Sequence, residues 1–445
     1  HPAWSDDCDL PVARVDREFI GGELMYDACP GATAQPLLCE SDMFTDDGTK
    51  YLVSEFLPPD DYDQYMHQFQ QGKVDTLPSQ VIGETIATFH ASSRSGGGRD
   101  VAWNEDTADM LYYDCYKCFT DGWKSWATQD ACDLDDKQLK YKALYKKHPE
   151  YLECLDQVLN SIFYPSNATA AHVHHDFHIL NILVKENAQR RKSNDLVKFV
   201  DFEFANWGPI GSDIGTFSAC AILYAIMHGC AIEQTGKDAD WRGILDAMIT
   251  MWKSYTRAFL QYADSQSNRE RVLLELEAIA HESIAWTGFI MCKYFCAQLF
   301  HLCTESLLRA PDGLFEHLDG LRSRDSEMDG REYLRSTVVE FAHKLLAKGC
   351  FKEIIVDQDS ARPGDFMEKM IVSISHEVEA LVLMMQKDLG SMEKEGDEII
   401  RISRLDKMTG QRRKSRRCSD SFLLLTSNKR ASIIIRRKSA VLWTK

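Results

Sequence analysis

This 445-residue sequence has few paired cysteine motifs and few long uncharged apolar runs. Its first 400 residues also have fewer basic than acidic side chains. Its fourteen cysteines are scattered, and the one C-x-x-C motif, Cys115 to Cys118, has no second pair with which to form a zinc site. We find no signal peptide in the sequence and expect reduced thiols in a cytoplasmic protein, which argues against a disulfide scaffold.

The two longest apolar runs, residues 213–232 and 284–303, approach the length of a membrane span. Neither run has the flanking charge asymmetry of a spanning helix, and both contain side chains that are costly in lipid. These side chains are Asp213, His228, Lys293, Gln298 and His301. We therefore predict two buried core helices and no membrane span.

The net charge of −17 conceals an uneven distribution. Residues 401–445 hold fourteen Lys or Arg residues against two Asp residues, a local charge of +12, which leaves −29 for residues 1–400. The acidic body argues against nucleic acid as its main partner. In the basic tail, serines recur after pairs of basic residues, which suits a basophilic protein kinase. These serines are Ser415, Ser419, Ser432 and Ser439. An unstructured tail without a role is the alternative.

The order of sequence patterns predicts a small β-containing front part and a large helical rear part. Residues 36–57 have the pattern of two short strands around a turn, and Ser79 could cap the helix that follows. Short apolar runs between 170 and 205 predict a hairpin with a long polar tip, and residues 206–390 have helical periodicity. The predicted fold class is therefore α+β.

The stretch HVHHDFHILNILVKE (172–186) holds the densest group of chemically active side chains. These side chains could bind zinc, but His174, Asp176 and His178 alternate along an extended segment, and no cysteine pair lies near them in the sequence. A buried polar knot is a second interpretation. A loop that carries out catalysis is the third.

Phosphoryl transfer accounts for more of these residues than either alternative. The spacing His174-x-Asp176-x-x-x-x-Asn181 is that of a kinase catalytic loop, with Asp176 as the base for a hydroxyl and Asn181 as a metal ligand. Asp201-x-Glu203 follows 25 residues after Asp176, at the end of the next predicted strand, where kinases place a second metal carboxylate. Both motifs in order, at opposite ends of a predicted hairpin, favour a kinase.

The segments HHDFHILNIL and FVDFEFANWGPIGSDIGTF resemble the aminoglycoside phosphotransferase and choline kinase superfamily, and more narrowly the methylthioribose kinases. Weaker similarity runs from about Val15 to Asp357. The resemblance implies a two-lobed, protein-kinase-like fold with a truncated N-lobe and a large helical C-lobe. It also implies ATP and Mg²⁺ as cofactors, and as acceptor the sugar hydroxyl of S-methyl-5-thioribose in methionine salvage.

The resemblance also implies roles for the catalytic-loop residues. Asp176 would be the catalytic base and His174 would brace the loop. Asp213 would anchor the loop from the first turn of the following helix, where a carboxylate can accept backbone N–H bonds. His175 and His178 would lie near the substrate. Asp201 and Glu203 would hold Mg²⁺ together with Asn181.

Nucleotide contacts are implied in the front part. Backbone groups of Glu55 and Leu57, in the segment YLVSEFL, would hold adenine. Glu23, in the predicted helix 17–28, would pair with the lysine that contacts the ATP phosphates. The first lysine is Lys50, which is too late to serve, and no glycine-rich phosphate loop precedes it. We therefore expect both elements upstream of the given sequence.

Several departures from the methylthioribose kinase pattern leave the acceptor open. His175 replaces a glycine, Asn181 replaces the usual serine, and Cys296 and Ala297 replace paired arginines that would hold the sugar. Another sugar or an amino-alcohol is the alternative acceptor. A pseudokinase that binds nucleotide or a metabolite without turnover is the alternative from a different class.

Four segments are predicted on this basis. They are a partial N-lobe (1–57), a C-lobe with the catalytic loop and metal motif (58–360), an extra helical segment (361–400) and a disordered basic tail (401–445). The expected partners are a small-molecule hydroxyl compound and the protein kinase that acts on the tail. A homodimer is compatible with the sequence.

Overall fold

The computed structural model describes residues 13–40, 51–94, 103–117, 120–121, 124, 136–185, 196–230, 240–264, 269–299, 330–351 and 368–387. The strands within these ranges are β1 (Pro36–Glu40), β2 (Tyr51–Ser54), β3 (Tyr62–Gln64), β4 (Ala170–Val173), β5 (Ile182–Lys185), β6 (Val197–Phe199) and β7 (Asn206–Pro209). The tail serines and the tip of the predicted β1–β2 turn lie outside the described residues.

Most of the described chain is helical. Short helical turns occur at Met110–Lys117, which is a π-helix, and at Phe202–Phe204, which is a 3₁₀ turn. The α-helices are α1 (Ala13–Ala28), α2 (Tyr65–Gln70), α3 (Thr76–Ser93), α4 (Glu105–Asp109), α5 (Asp136–Lys147), α6 (Glu150–Asn160), α7 (Ile210–Cys230), α8 (Trp241–Asp264), α9 (Arg269–Leu299), α10 (Gly330–Phe351) and α11 (368–387). The α+β class, with strands in front of a helical rear part, is confirmed.

The strands from 170 to 209 form one hairpin nested inside another. The inner pair is β5 with β6, antiparallel, with Ile182 opposite Phe199. The outer pair is β4 with β7, also antiparallel, with Val173 opposite Asn206. Strand β3 adds to the free edge of β5, while β1 and β2 form a separate antiparallel pair. The predicted hairpin is therefore present. On each side of it, a loop separates the strand of the outer pair from the strand of the inner pair.

Helix α7 lies at the centre of the helical part and packs against α8 and α9. Every residue from Ile210 to Gly229 is buried. Among the described residues, α7 is the helix long and apolar enough to cross a membrane, but its whole apolar window is buried inside the protein. Its His228 donates from Nε2 to the Phe69 carbonyl at 2.7 Å, which satisfies a polar group that burial would otherwise penalise. The prediction of a buried core helix is confirmed.

Helix α11 belongs to the same hydrophobic core as the rest of the helical part. Its buried face contributes Met370, Ile374, Val378 and Val382 to that core. Val382 fits against Gly229 of α7, where an added Cβ would come within 2.3 Å of its Cγ1. Helix α11, which lies in the predicted extra helical segment, therefore shares one hydrophobic core with the helices that precede it.

The start of α3 differs from the prediction. The helix begins at Thr76, and Asp75 caps it by accepting a bond from the Leu77 N–H at 3.0 Å. Ser79, the predicted cap, lies inside the first turn and is fully buried, 2.9 Å from the Tyr65 hydroxyl. Asp and Ser cap helices about equally well, so tertiary packing decides between them.

Close packing of α3 against α8 depends on Gly83. An added Cβ at Gly83 would lie 2.2 Å from the Met251 carbonyl oxygen and 2.9 Å from the Tyr255 amide nitrogen. Because both atoms are backbone, Gly83→Ala should force the helices apart and lower the free energy of unfolding by about 2–3 kcal/mol. Urea unfolding of the variant measures this loss.

Gly243→Ala on α8 is the matched control. Its added Cβ would meet the Asp240 side chain at 2.8 Å, and that side chain can move. We expect a change within about 0.5 kcal/mol. Unchanged or increased stability in Gly83→Ala, which the higher helix propensity of alanine alone would give, would show that the α3–α8 contact accommodates the methyl group.

Candidate active site

Two loops face each other inside the nested hairpin. Residues 174–181 join β4 to β5, and residues 200–205 join β6 to β7. The Val200 N–H donates to the Asn181 carbonyl at 3.1 Å, and His174 Nε2 donates to the Val200 carbonyl at 3.0 Å. The hairpin therefore brings the H-x-D and D-x-E motifs together, as their order in the sequence suggested.

Asp176 lies on the first loop with 32% of its side chain exposed. Its Oδ2 accepts a bond from Asn181 Nδ2 at 3.2 Å and lies 3.3 Å from His178 Nε2. Burial alone would raise the pKa of Asp176, but the charge and hydrogen bond of His178, with the charges of His174 and Lys293, hold it well below its usual range. The carboxylate is therefore ionised at neutral pH and accessible from outside.

Asp213, in the first turn of α7, is fully buried and fixes the first loop from below. It accepts bonds from the backbone N–H of His174 at 2.9 Å and of His175 at 2.8 Å. His90 Nε2 donates to it at 3.0 Å, and the Tyr255 hydroxyl lies 3.2 Å from His90 Nδ1. Burial alone would raise the pKa of Asp213, but the hydrogen bond and charge of His90 lower it overall. These are the contacts that the predicted anchor role requires.

His175, which was predicted to lie near the substrate, is buried against strand β7. It is 2% exposed, and its ring faces Gly208, where an added Cβ would come within 2.3 Å of His175 Nε2. Its backbone has φ 62°, in the left-handed region that suits glycine. This conformation explains why the resembling kinases have glycine here. His178, also predicted near the substrate, is 8% exposed and lies beside Asp176.

Three carboxylates converge at the second loop. One oxygen each of Glu18, Asp201 and Glu203 lies within 4.8 Å of the others, and all three residues are half-buried. Asp201 has φ 70° and ψ 57°, an uncommon conformation for a residue other than glycine and one that occurs at functional sites. Carboxylate oxygens are the ligands that Mg²⁺ prefers, so this set fits that ion. Asn181, the predicted third ligand, is bonded through Nδ2 to Asp176.

Among the described residues, this carboxylate group is the only group of three or more His, Cys, Asp or Glu side chains whose possible ligand atoms all lie within 4.8 Å of one another. The histidines of the first loop point to different partners: His174 to Val200, His178 to Asp176 and His175 to Gly208. The zinc interpretation therefore has no support among the described residues.

Glu18 takes the place in α1 that was predicted for Glu23. Glu23 is exposed, whereas Glu18 lies beside Asp201. The two residues are five positions apart, which is a rotation of about 140° around the helix. Close packing of α1 on the 3₁₀ turn sets this rotation, because an added Cβ at Gly21 would lie 2.9 Å from the Phe202 Cβ. The pairing of Glu23 with a phosphate-binding lysine stays a prediction, while Glu18 is the glutamate of α1 that lies beside the D-x-E motif.

The predicted adenine segment follows β2. Glu55 is exposed and its N–H donates to the Gln35 carbonyl at 2.8 Å, so this N–H is already used. Leu57 is half-buried, two residues further on. The Glu55 carbonyl and the Leu57 peptide stay predicted adenine contacts.

Two site residues were not identified from the sequence, Glu18 and His90. His90 is 123 residues from Asp213, and only the packing of α3 beside α7 and α8 brings them together. The one available signal for Glu18 was its helical spacing from Gly21, which places both on one face of α1.

Buried histidines should make the fold sensitive to acid. Burial lowers the pKa of His175 to about 4 and of His343 to about 4, from 6.5 in an unfolded chain. The unfolded state therefore binds more protons between pH 4 and 6.5, and the free energy of unfolding should fall as the pH drops through that window. Each histidine should contribute roughly 3 kcal/mol. Urea unfolding at several pH values measures the fall.

His175→Asn tests the assignment, because asparagine tolerates the left-handed backbone and does not titrate. We expect the pH dependence of unfolding to decrease by about one proton between pH 4 and 6.5. An unchanged slope in His175→Asn would contradict the assignment.

Residues 46–226 match the ecdysteroid kinase-like family. This span includes both loops of the nested hairpin, Asp213 and most of α7. A comparison with curated protein sequences gives no match.

Solved structures of small-molecule kinases also align with the chain. A glucosamine kinase (crystal form B) aligns at 16% identity and a TM-score of 0.35 over 65% of this chain and 68% of that chain. Plasmodium vivax ethanolamine kinase aligns at 13% identity and a TM-score of 0.31 over 76% and 73%. A glucosamine kinase in complex with glucosamine, ADP and inorganic phosphate aligns at 16% identity and a TM-score of 0.32 over 64% and 70%.

Because these TM-scores are low, the structural alignments are not used to infer a function. The expectation of a kinase rests on the family match and on the two facing loops. The family match agrees with the predicted small-molecule kinase, whereas methylthioribose kinase stays a prediction.

Proposed function

We propose that this protein is an ATP-dependent kinase that phosphorylates a hydroxyl group of a small molecule. The observation that carries the proposal is the pairing of two loops across one hairpin. One loop holds an ionised, accessible carboxylate at Asp176, and the facing loop is tied to it through Val200. The family match supports the same reaction class.

The proposed reaction forms a bond between the acceptor oxygen and the γ-phosphorus of ATP and breaks the bond from that phosphorus to the ADP oxygen. Asp176 orients the acceptor hydroxyl and takes up its proton as the new bond forms. Proton transfer is late in such loose transition states, so an ionised carboxylate of low pKa serves mainly to position the hydroxyl. Asn181 holds the Asp176 carboxylate in position through its Nδ2 bond at 3.2 Å.

Mg²⁺ would be held by Asp201 and Glu203, with Glu18 within reach of both. When bound, the ion would neutralise charge on the ATP phosphates. The role of Glu18 would then be to hold a phosphate-binding cation or lysine at this position.

Two acceptors are favoured by specific observations. The close resemblance of residues 201–217 to methylthioribose kinases favours methylthioribose. The match of residues 46–226 favours an ecdysteroid, the acceptor class that the matched family is named for. Both are neutral hydroxyl compounds, so one assay can compare them.

The test is transfer of labelled γ-phosphate from ATP to methylthioribose or to an ecdysteroid, with Mg²⁺ present. Transfer by the wild type to either compound, lost in Asp201→Asn and Glu203→Gln, supports the proposal. ATP binding without transfer to any hydroxyl acceptor, in a broad panel of sugars, sterols and amino-alcohols, would overturn it in favour of a pseudokinase.

A further inference from the structure

The carboxylate of Glu282, on α9, accepts hydrogen bonds from two different parts of the chain. Its Oε1 accepts the Thr169 hydroxyl at 2.7 Å, and its Oε2 accepts the Gly211 N–H at 2.8 Å. Thr169 directly precedes strand β4, and Gly211 is the second residue of α7, which follows strand β7. One carboxylate therefore ties both open ends of the β4–β7 pair to α9.

Close packing of α9 on α7 fixes the place of Glu282. An added Cβ at Gly211 would lie 2.5 Å from the Glu282 Cγ, and one at Gly215 would lie 2.8 Å from the Thr287 amide nitrogen. Because interiors are close-packed, a larger residue at Gly211 would leave no room for the Glu282 side chain. The Gly211 N–H is also one of the helix-start groups that have no partner within the helix, and a carboxylate suits it.

Both bonds of Glu282 end close to the contact that fixes the first loop. Asp213 is two residues beyond Gly211, in the first turn of α7, and accepts two backbone N–H groups of that loop at 2.8 and 2.9 Å. The four residues of β4 join Thr169 to the start of the same loop. The Ile210 N–H donates to the Thr169 carbonyl at 2.9 Å, so the two segments are also bonded to each other. A shift of either segment therefore reaches the loop.

We propose that Glu282 is a positioning residue for phosphoryl transfer. By its bonds to Thr169 and Gly211 it holds β4 and α7, the two elements that fix the first loop, and so keeps Asp176 in place. It acts through these elements and not on the substrate. The inference rests on the proposed function for its effect on turnover, whereas its effect on the loop is measurable without substrate.

Glutamine can replace Glu282 and keep both bonds. Its Oε1 accepts the Gly211 N–H, and its Nε2 donates to the Thr169 Oγ1, whose own hydrogen then turns to the Ser166 carbonyl, 3.4 Å away. Burial raises the pKa of Glu282 to about 7, so the neutral carboxyl that glutamine imitates is populated near neutral pH. Methionine fills a similar space and makes neither bond.

Hydrogen exchange of the ligand-free full chain tests the effect on the loop. In Glu282→Met, the two loop amides that donate to Asp213 should exchange at least about tenfold faster than in the wild type. Glu282→Gln should exchange like the wild type. Ser283→Ala is the matched control, because Ser283 is a buried neighbour on α9 whose hydroxyl bonds to the Ile279 carbonyl of its own helix at 2.7 Å. It should leave exchange of the loop unchanged.

Steady-state kinetics with ATP, Mg²⁺ and methylthioribose or an ecdysteroid test the effect on turnover. In Glu282→Met, kcat should fall by about tenfold or more because Asp176 is misplaced, with KM for ATP unchanged. Glu282→Gln and Ser283→Ala should keep the kcat of the wild type. Thr169→Val should lower kcat, and Thr169→Ser should restore it. The double variant Glu282→Met/Thr169→Val should lose no more than Glu282→Met alone, because both changes break the same bond.

The two proposals fail in different ways. Unchanged loop exchange or unchanged kcat in Glu282→Met would overturn the inference, and so would exchange that rises equally throughout α3 and α8, which indicates a general loss of stability. If Glu282→Met does not fold, Thr169→Val decides by the same criteria. Absence of transfer by the wild type to every acceptor would overturn the proposed function and the kinetic role of Glu282, while hydrogen exchange would still decide whether Glu282 fixes the loop.

Discussion

Asp176→Asn is expected to lower kcat by about 10³-fold while the affinity for ATP stays unchanged. Asparagine has the same shape and can still accept the bond from Asn181 Nδ2, which Asp176 now accepts at 3.2 Å. It cannot accept the proton of a hydroxyl. Because the predicted adenine contacts lie on the segment after β2, the loss should be confined to turnover. Single-turnover kinetics and equilibrium binding of ATP measure the two parts.

The control for this variant is Asp63→Asn. Asp63 is 43% exposed and pairs with His67 on a different element, so its replacement should leave kcat unchanged. Full activity in Asp176→Asn would show that another group positions the hydroxyl, and Asp176 would then lose its assignment as the base.

Asp213→Asn is expected to cost about 3–5 kcal/mol of unfolding free energy and most of the activity. Three donors point at the Asp213 carboxylate, at 2.8–3.0 Å, and the site is fully buried. An amide group must turn one N–H toward a donor, which leaves that donor unpaired in a place that water does not reach. The backbone of the first loop should then shift, and Asp176 with it.

A double-mutant cycle with His90→Gln isolates the buried pair. Removal of either partner alone leaves the other unsatisfied, so the combined loss should be smaller than the sum, with a coupling of about 1–3 kcal/mol. Urea unfolding of the four proteins provides the values. A coupling close to zero would show that Asp213 acts through the backbone bonds alone, without His90.

Local spacing was sufficient to predict that the H-x-D and D-x-E motifs lie on loops of a hairpin. The H-x-D and D-x-E motifs each lie at the end of a short apolar run, and strand pairing depends on such runs. The strands that flank the motifs are accordingly where the sequence placed them, at Ala170–Val173 and Val197–Phe199. The order of front strands and rear helices could be predicted for the same reason.

Relations between distant elements could not be predicted. The rotation of α1 depends on contact between Gly21 and Phe202, and this contact decides that Glu18 faces the metal motif while Glu23 faces away. The bond from His90 to Asp213 joins helices 123 residues apart. The positive φ of His175, which turns its ring toward Gly208, is likewise not visible in the sequence.

The nested hairpin has a consequence for how this protein can vary. Both facing loops are closed at each end by paired strands, β5–β6 on one side and β4–β7 on the other. The paired strands β5 and β6 lie between their own connection and the two loops. We therefore expect that a change in the length of that connection does not move Asp176 or Asp201. Length changes between the paired strands should leave the spacing of the reacting groups unchanged, since both levels of strand pairing stay intact.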